Sequence, residues 1–202
     1  MPKVAVIDYG VGNLFSIKCS FERAGLSVDL CSEAKRLRDA DALVIPGVGN
    51  FKAGAENIEK IRVDLMDLIR EGKPVLGICL GMQLLFEESD ESPNVGGLNL
   101  LEGRVVRLPG NVKIPHMGWN TLKIVRSTVL LDGISEEDYF YFVHSYYVAP
   151  RRKNIVMAET EYGVRFTSVV MQNNIFGVQF HPEKSGKPGE RIIGNFANLI
   201  RR

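Results

Sequence analysis

The residues best suited to chemistry are Cys79, His181 and Glu183. Cys79 is the centre of Gly77-Ile78-Cys79-Leu80-Gly81, which follows a β-branched apolar run and precedes a helical pattern. This is the G-x-nucleophile-x-G arrangement of a sharp strand-to-helix turn, with cysteine in place of serine. Glycines flank the nucleophile because side chains there would collide with neighbouring segments, while the residue between them is held in strained backbone geometry. A helix N-terminus beside the sulfur favours thiolate over thiol. The plain alternative is a small core cysteine, the usual fate of a lone one.

A nucleophile needs a base, and the chain offers His116, His144 and His181. His181 ends the strand-like run Phe176-Gly177-Val178-Gln179-Phe180 and is followed by Pro182-Glu183. If the chain stays extended, His181 and Glu183 point to the same side, because strand side chains repeat every two residues. Glu183 then fixes one ring nitrogen and the other faces the thiol, a Cys-His-Glu set on the logic of Ser-His-Asp. A surface His beside a surface Glu is the alternative. Placement at the carboxyl edge of a parallel sheet favours a site. A third component is Pro46-Gly47-Val48-Gly49, whose backbone N–H groups, with that of Leu80, could stabilise an oxyanion. Taken alone, that tetrapeptide is an ordinary turn.

Other chemistries are excluded. Asp8-Tyr9-Gly10-Val11-Gly12-Asn13 begins like a dinucleotide fingerprint, but Phe15 stands at the third glycine position. There is no P-loop. His181-x-Glu183 lacks the P-C-x-x-C partner of a zinc deaminase. The three cysteines, Cys19, Cys31 and Cys79, form no C-x-x-C, so neither a zinc site nor a disulfide scaffold is expected. Cys19 and Cys31 read as packing residues, and Arg201-Arg202 as a solvated helix end. No metal or cofactor is expected.

The elements that must position these residues follow from periodicity. Strands are expected at Lys3–Asp8, Ser27–Cys31, Ala42–Pro46 and Pro74–Ile78. Helices are expected at Asn13–Ala24, across Ile58, Ile61, Leu65, Leu68 and Ile69 to Gly72, and at Leu80–Glu88. This alternation implies a parallel sheet with helices on both faces. The second half reads as strands at 104–108, 121–125, 139–148, 155–160, 164–170 and 175–180, with a closing helix at Gly189–Arg202. Antiparallel strands extending a parallel core fit that pattern. The expected class is therefore α/β, with a central, mostly parallel, mixed sheet. Ser89–Gly97 reads as an exposed loop.

Composition agrees. With 202 residues, 45% of them hydrophobic and 24% charged, the chain can bury roughly 70–75% of its unfolded surface without disulfides or metal. The net charge of +1 predicts no electrostatic grip on nucleic acid. No apolar stretch approaches the ~20 residues of a membrane span. Met1–Asp8, an apolar run ending in an acid, is not a signal peptide. A cytoplasmic protein is expected.

Taken together, Pro46-Gly47-Val48-Gly49, Gly77-Ile78-Cys79-Leu80-Gly81-Met82-Gln83 and Gly177-Val178-Gln179-Phe180-His181-Pro182-Glu183 resemble the three motifs of class I glutamine amidotransferases in order and spacing. The likeness spans nearly the whole chain and implies one type 1 glutamine amidotransferase domain over 1–202, with a flavodoxin-like fold. Segments 8–13, Pro115-His116-Met117-Gly118-Trp119-Asn120, 141–147 and His181-Pro182-Glu183-Lys184-Ser185 are similar to the glutaminase subunits of imidazole glycerol phosphate synthase, an enzyme of histidine biosynthesis. That resemblance implies Cys79 as nucleophile, His181 as general base and acid, and Glu183 as its orienter. It implies Val48, Gly49 and Leu80 at the oxyanion, and Gly47, Gly49, Gln83, His144, Ser145 and Tyr146 around glutamine. It places Asn13, Trp119, Tyr141 and Lys184 toward a separate (β/α)₈-barrel cyclase subunit in a heterodimer. Met117, Trp119, Tyr141 and Phe142 form a candidate docking cluster. A peptide flip in the Gly47–Gly49 loop is a candidate switch. Alternatives are an amidotransferase subunit of a chorismate-using synthase, a catalytically silent binding subunit and a cysteine peptidase.

Overall fold

In the computed structural model of the chain, residues 1–10 and 12–201 are described; Val11, within the 8–13 segment, and the terminal Arg202 lie outside the described residues. The first half alternates as expected: β1 (Lys3–Ile7), α1 (Leu14–Arg23), β2 (Ser27–Cys31), α2 (Ala34–Leu37), β3 (Ala42–Ile45), α3 (Phe51–Ile58), α4 (Arg62–Arg70), β4 (Val75–Ile78) and α5 (Leu80–Leu84). There follow β5 (Glu88–Ser89), β6 (Gly103–Arg107), β7 (His116–Thr121), β8 (Lys123–Ile124), β9 (Tyr139–His144), β10 (Tyr146–Pro150), β11 (Val156–Glu161), β12 (Arg165–Gln172), β13 (Ile175–Val178) and α6 (Gly186–Ile200).

The main sheet runs in the order β2-β1-β3-β4-β13-β12-β10-β6-β5, with β11 joined to β12 and β8 to β11. The five strands from β2 to β13 are parallel. β12 then adds antiparallel to β13 and begins the mixed half. β7 and β9 form a separate antiparallel ribbon. Successive side chains of a strand face opposite sides. Val4, Val6 and Val44 therefore pack with Ile17 and Phe21 of α1 and Ile192 and Phe196 of α6. Ala5, Ile7, Leu43 and Ile45 pack with Phe51, Ile58, Leu65 and Leu68 on the other side. Burial on both faces is why these strands read as unbroken apolar runs.

Several elements differ from the periodicity. The helix expected through Ile58 and Ile69 is two helices, α3 and α4, separated by a 3₁₀ turn at Glu59–Ile61. α3 starts earlier because Asn50 caps it, its side chain accepting from Ala53 N–H at 2.8 Å. α5 stops at Leu84, well short of Glu88. The run expected at 139–148 breaks at Ser145, and its halves enter different sheets. β7 is an additional strand. α6 begins at Gly186 and takes in Pro188, which a helix tolerates in its first turn. No helix among the described residues is long and apolar enough to cross a membrane.

α6 closes one face through Phe196, which is fully buried and edge-on to Phe21 and Phe176. Phe196→Ala is expected to cost about 3–5 kcal/mol, read from urea unfolding; a loss below ~1 kcal/mol would contradict this packing.

Candidate active site

The site grows from one close backbone approach. A Cβ on Gly81 would lie 1.8 Å from the Ile45 carbonyl oxygen, and one on Gly77 would lie 2.7 Å from the Met82 nitrogen. The β4–α5 turn thus closes on itself and against the end of β3, as the glycine spacing predicts. Cys79, between them, has φ +53°, an uncommon conformation for a non-glycine residue. Its N–H donates to Val178 O at 2.8 Å, which ties the turn to β13. α5 has only five residues, so its dipole is a small contribution and the turn geometry matters more.

The 46–49 loop leaves β3 directly over this turn. The Tyr9 hydroxyl donates to the Pro46 carbonyl. Burial, then the charge at Cys79, pushes the Tyr9 phenol far above its ordinary range, so it stays a donor. Leu80 N–H donates to Gly47 O across 3.4 Å, so one expected oxyanion donor is engaged by the loop. The N–H groups of Val48 and Gly49 have no acceptor among the described residues, and Gly49 sits at φ +121°, where only glycine is at ease.

His181 and Glu183 do meet, but not through an extended chain. Pro182–Lys184 is a 3₁₀ turn, and within it His181 Nδ1 lies 2.9 Å from Glu183 Oε1. Both side chains are about 2% exposed. Ser185 holds the turn in place: its hydroxyl donates to His181 O at 2.6 Å and accepts from Tyr141 N–H at 3.0 Å. Nδ1 being taken, Nε2 is left for the sulfur; it has no other partner among the described residues, and neither does Glu183 Oε2. Burial alone would lower the imidazole. The charge and hydrogen bonding of Cys79, then those of Glu183, outweigh it and push His181 up to about 10. The upward direction suits a ring that holds a proton between Cys79 and Glu183.

Beside Cys79 lies a cavity of about 210 Å³, lined by Val48, Gly49, Leu80, Gln83, His144, Ser145 and Tyr146 together with Glu91, Pro115 and Val143. The expected pocket residues converge here except Gly47, which is buried against Leu80, Tyr9 and Gly81. Two residues beside Cys79 and the cavity had no role assigned in the sequence reading. Gln179 is fully buried; its Nε2 donates to Cys79 Sγ at 3.5 Å and its Oε1 accepts from Gln83 at 3.2 Å. A glutamine inside an apolar strand run was the available signal. Glu91 comes from the segment read as an exposed loop, yet it reaches the cavity and accepts from Phe51 N–H at 2.7 Å. No local signal marks it, because the loop folds back only through tertiary contacts.

The four residues placed toward a partner fare unevenly. Trp119 is 55% exposed and meets Tyr141 edge-on at 5.8 Å. Lys184 Nζ lies 5.8 Å from the Tyr141 ring centre, within cation–π range. Asn13 is spent locally as the cap of α1, accepting from Ser16 N–H at 3.3 Å. In the docking cluster Phe142 is fully buried and belongs to the core, whereas Met117 is 62% exposed; the two lie on alternate faces of the β7–β9 ribbon.

A mostly parallel, mixed sheet thus carries a cysteine on a strained strand–helix turn, a buried His–Glu pair and an adjacent small cavity. Residues 5–199 match the family described as Glutamine amidotransferase class-I. A solved glutamine amidotransferase superposes with a TM-score of 0.79 at 21% identity, over 98% of this chain and 99% of that one. PurLQS from Thermotoga maritima gives 0.80 at 19% identity, over 98% of each chain. Imidazole glycerol phosphate synthase subunit HisH of Methanothermobacter thermautotrophicus is 50% identical over 98% of this chain and 99% of its own length. The HisH subunits of Archaeoglobus fulgidus and Bacillus subtilis are 48% and 45% identical, over 98% and 97% of this chain and 100% and 96% of their own lengths. The chain belongs to this HisH family of glutamine amidotransferases.

Two outcomes follow from the site's packing and charge. Gly81→Ala should lower stability by at least ~2 kcal/mol in urea unfolding, whereas Gly110→Ala, whose Cβ meets nothing within 4 Å, should be near neutral. Burial pushes His116 down to about 4 and, as the largest cause, His144 down to about 3. The unfolded chain takes up these protons near pH 6.5 and the folded chain only near pH 4 and 3. Their contribution is therefore intact above pH 6.5 and declines as pH falls through that window. His116→Asn, with one titrating ring fewer, should show a shallower decline between pH 6.5 and 4; an unchanged slope would contradict the neutral ring.

Proposed function

We propose that the chain, as one amidotransferase unit over 1–202, hydrolyses glutamine in the cytoplasm and passes the ammonia to a separate (β/α)₈-barrel cyclase in a heterodimer. The cyclase would use it to make imidazole glycerol phosphate and an aminoimidazole carboxamide ribonucleotide. The observation that carries the reading is the buried His181–Glu183 pair at 2.9 Å, whose ring also feels Cys79, the residue at the edge of the cavity.

The steps follow from the charges. The Cys79 thiolate attacks the side-chain amide carbon of glutamine. The resulting oxyanion is met by N–H groups of Val48 and Gly49, and by that of Leu80 once the Gly47 carbonyl releases it. His181 gives its proton to the amide nitrogen, the C–N bond breaks, and ammonia leaves a glutamyl thioester. Neutral His181 then takes a proton from water, which attacks the thioester. Glutamate departs and the thiolate and imidazolium are restored. Glu183 orients the ring throughout. Glu91 is the carboxylate of the cavity and suits the α-ammonium of the substrate. Gly47 shapes the loop, while Gln83, Ser145 and Tyr146 form the wall.

The exposed Met117, Trp119 and Tyr139 on the β7–β9 ribbon, with Tyr141 and Lys184 beside them, support docking of the cyclase there; Asn13 adds its exposed helix cap. Ammonia is mostly ammonium in bulk water at neutral pH, so a donor of this kind needs its acceptor sealed against it. The engaged Leu80 N–H supports an oxyanion site completed only with the loaded partner.

The test is glutamate release by wild type and Cys79→Ala, each alone and with a barrel cyclase plus its nucleotide ligand. Release should depend on Cys79, by at least ~10³-fold, and rise sharply with the loaded cyclase. Normal release by Cys79→Ala would end the thioester mechanism. Equal rates with and without the cyclase would end the partner reading and favour a chorismate-using synthase. Glu91→Gln should raise the glutamine KM ~10-fold or more with a smaller change in kcat; an unchanged KM would remove Glu91 from the substrate site.

A further inference from the structure

His144 lines the cavity, yet both its ring nitrogens are used inside the protein. Nδ1 lies 2.9 Å from the Tyr146 carbonyl oxygen, and Nε2 lies 3.0 Å from His116 Nδ1. The other nitrogen of His116 lies 3.4 Å from Asn120 Nδ2. Both ends of this chain are fixed. A carbonyl only accepts, so His144 Nδ1 carries a hydrogen and its Nε2 is a bare acceptor. At the far end, Asn120 Oδ1 accepts from Thr121 N–H at 2.8 Å and Nδ2 donates to Glu161 O at 3.1 Å. The amide therefore presents a donor to His116 Nε2. One assignment satisfies every contact: both histidines are neutral, each with its hydrogen on Nδ1, and each hydrogen bond points from Asn120 toward Tyr146. Burial, which lowers both rings, agrees with it.

The chain continues to the nucleophile. The Tyr146 carbonyl also accepts from Gln83 Nε2 at 2.9 Å, and the same nitrogen donates to Gln179 Oε1. With both hydrogens of Gln83 spent, its Oε1 is the end left toward the cavity. Gln179 in turn donates to Cys79 Sγ. His116 is clamped between Phe142 and Tyr162, with ring centres at 4.9 and 4.0 Å, so its ring cannot swing to another partner. His116 does not line the cavity and touches nothing that reacts.

We propose that His116 is a positioning residue of the glutaminase site: by donating to His144 it locks that ring against the Tyr146 carbonyl, and so holds Gln83 with its Oε1 toward the bound glutamine. The proposal rests on the glutaminase reading above. It also means that His144 serves the site as a fixed neutral wall, not as a second base or a charged ligand.

Two variants and one spectroscopic readout test it, with glutamate release measured under saturating barrel cyclase and nucleotide. His116→Asn keeps a donor near the position of Nδ1, whereas His116→Leu removes it. The glutamine KM should rise ~10-fold in His116→Leu, with kcat changed less, and stay within about threefold of wild type in His116→Asn. Nitrogen NMR of the ring should find His144 of the wild type with its hydrogen on Nδ1, and should find that preference lost in His116→Leu and kept in His116→Asn. Thermal melts of each variant separate misfolding from misplacement. An unchanged KM in folded His116→Leu, or wild-type His144 protonated on Nε2, would overturn the proposal alone. No glutamate from wild type, with His144 protonated on Nδ1, would overturn the glutaminase reading and the positioning role, and leave only the hydrogen-bond chain.

Discussion

Everything at the site depends on how closely the β4–α5 turn sits against the end of β3. With the Gly81 backbone against the Ile45 carbonyl, no atom larger than hydrogen fits between them. That contact sets where α5 starts, forces Cys79 into its positive φ, and brings the 46–49 loop within reach of Leu80. α3 follows the same rule. A Cβ on Gly54 would lie 3.1 Å from Leu84, so a small residue there lets α3 settle against α5. Cys79 is thus held by backbone sterics and not by side-chain packing that could relax.

Around this fixed point the protein creates two opposite environments for histidine. His181 is buried beside Cys79 and Glu183 and its imidazole is pushed up; His116 and His144 are buried among aromatic rings and carbonyls and are pushed down. Burial acts in the same direction on all three. What differs is whether an acid lies within reach, and Glu183 and Cys79 serve only His181. Charge is thereby confined to the place where a proton must move, while the opposite wall keeps fixed dipoles.

The β7–β9 ribbon links these environments to the surface. Alternation along its strands turns Met117, Trp119 and Tyr139 outward and His116, Phe140, Phe142 and His144 inward. Tyr141 adds a second link, since its backbone bonds both His181 and Ser185. One short ribbon therefore carries an exposed aromatic face, a wall of the cavity and a brace for the His181–Glu183 turn. A partner docked on its outer face would press on elements that contact both ends of the site.

Much of this was legible in the chain. The parallel half is readable because each strand is a short β-branched run, each helix has its own period, and glycines mark the stops. Cys79 was marked by its two glycines, and His181 and Glu183 by their place after a buried run. Less legible was whatever depends on long-range contact. The 139–148 run does not announce its break at Ser145, since both halves are equally strand-like and only their partners differ. The extended geometry expected for His181–Glu183 gave way to a 3₁₀ turn, because Ser185 and Tyr141 hold it. Phe142 and Trp119 look alike as aromatics, and only the pleat decides which is core. Glu91 reaches the site from a loop with no local pattern, and Gln179 from just past β13, marked only as a glutamine in an apolar run. The sequence by itself thus marked Cys79, His181 and Glu183 and determined the parallel frame, through sterics and periodicity that act within a few residues. Only the tertiary structure decided the pocket wall, the tautomers and the outward face, because hydrogen-bond direction and burial belong to pairs of residues far apart in the chain.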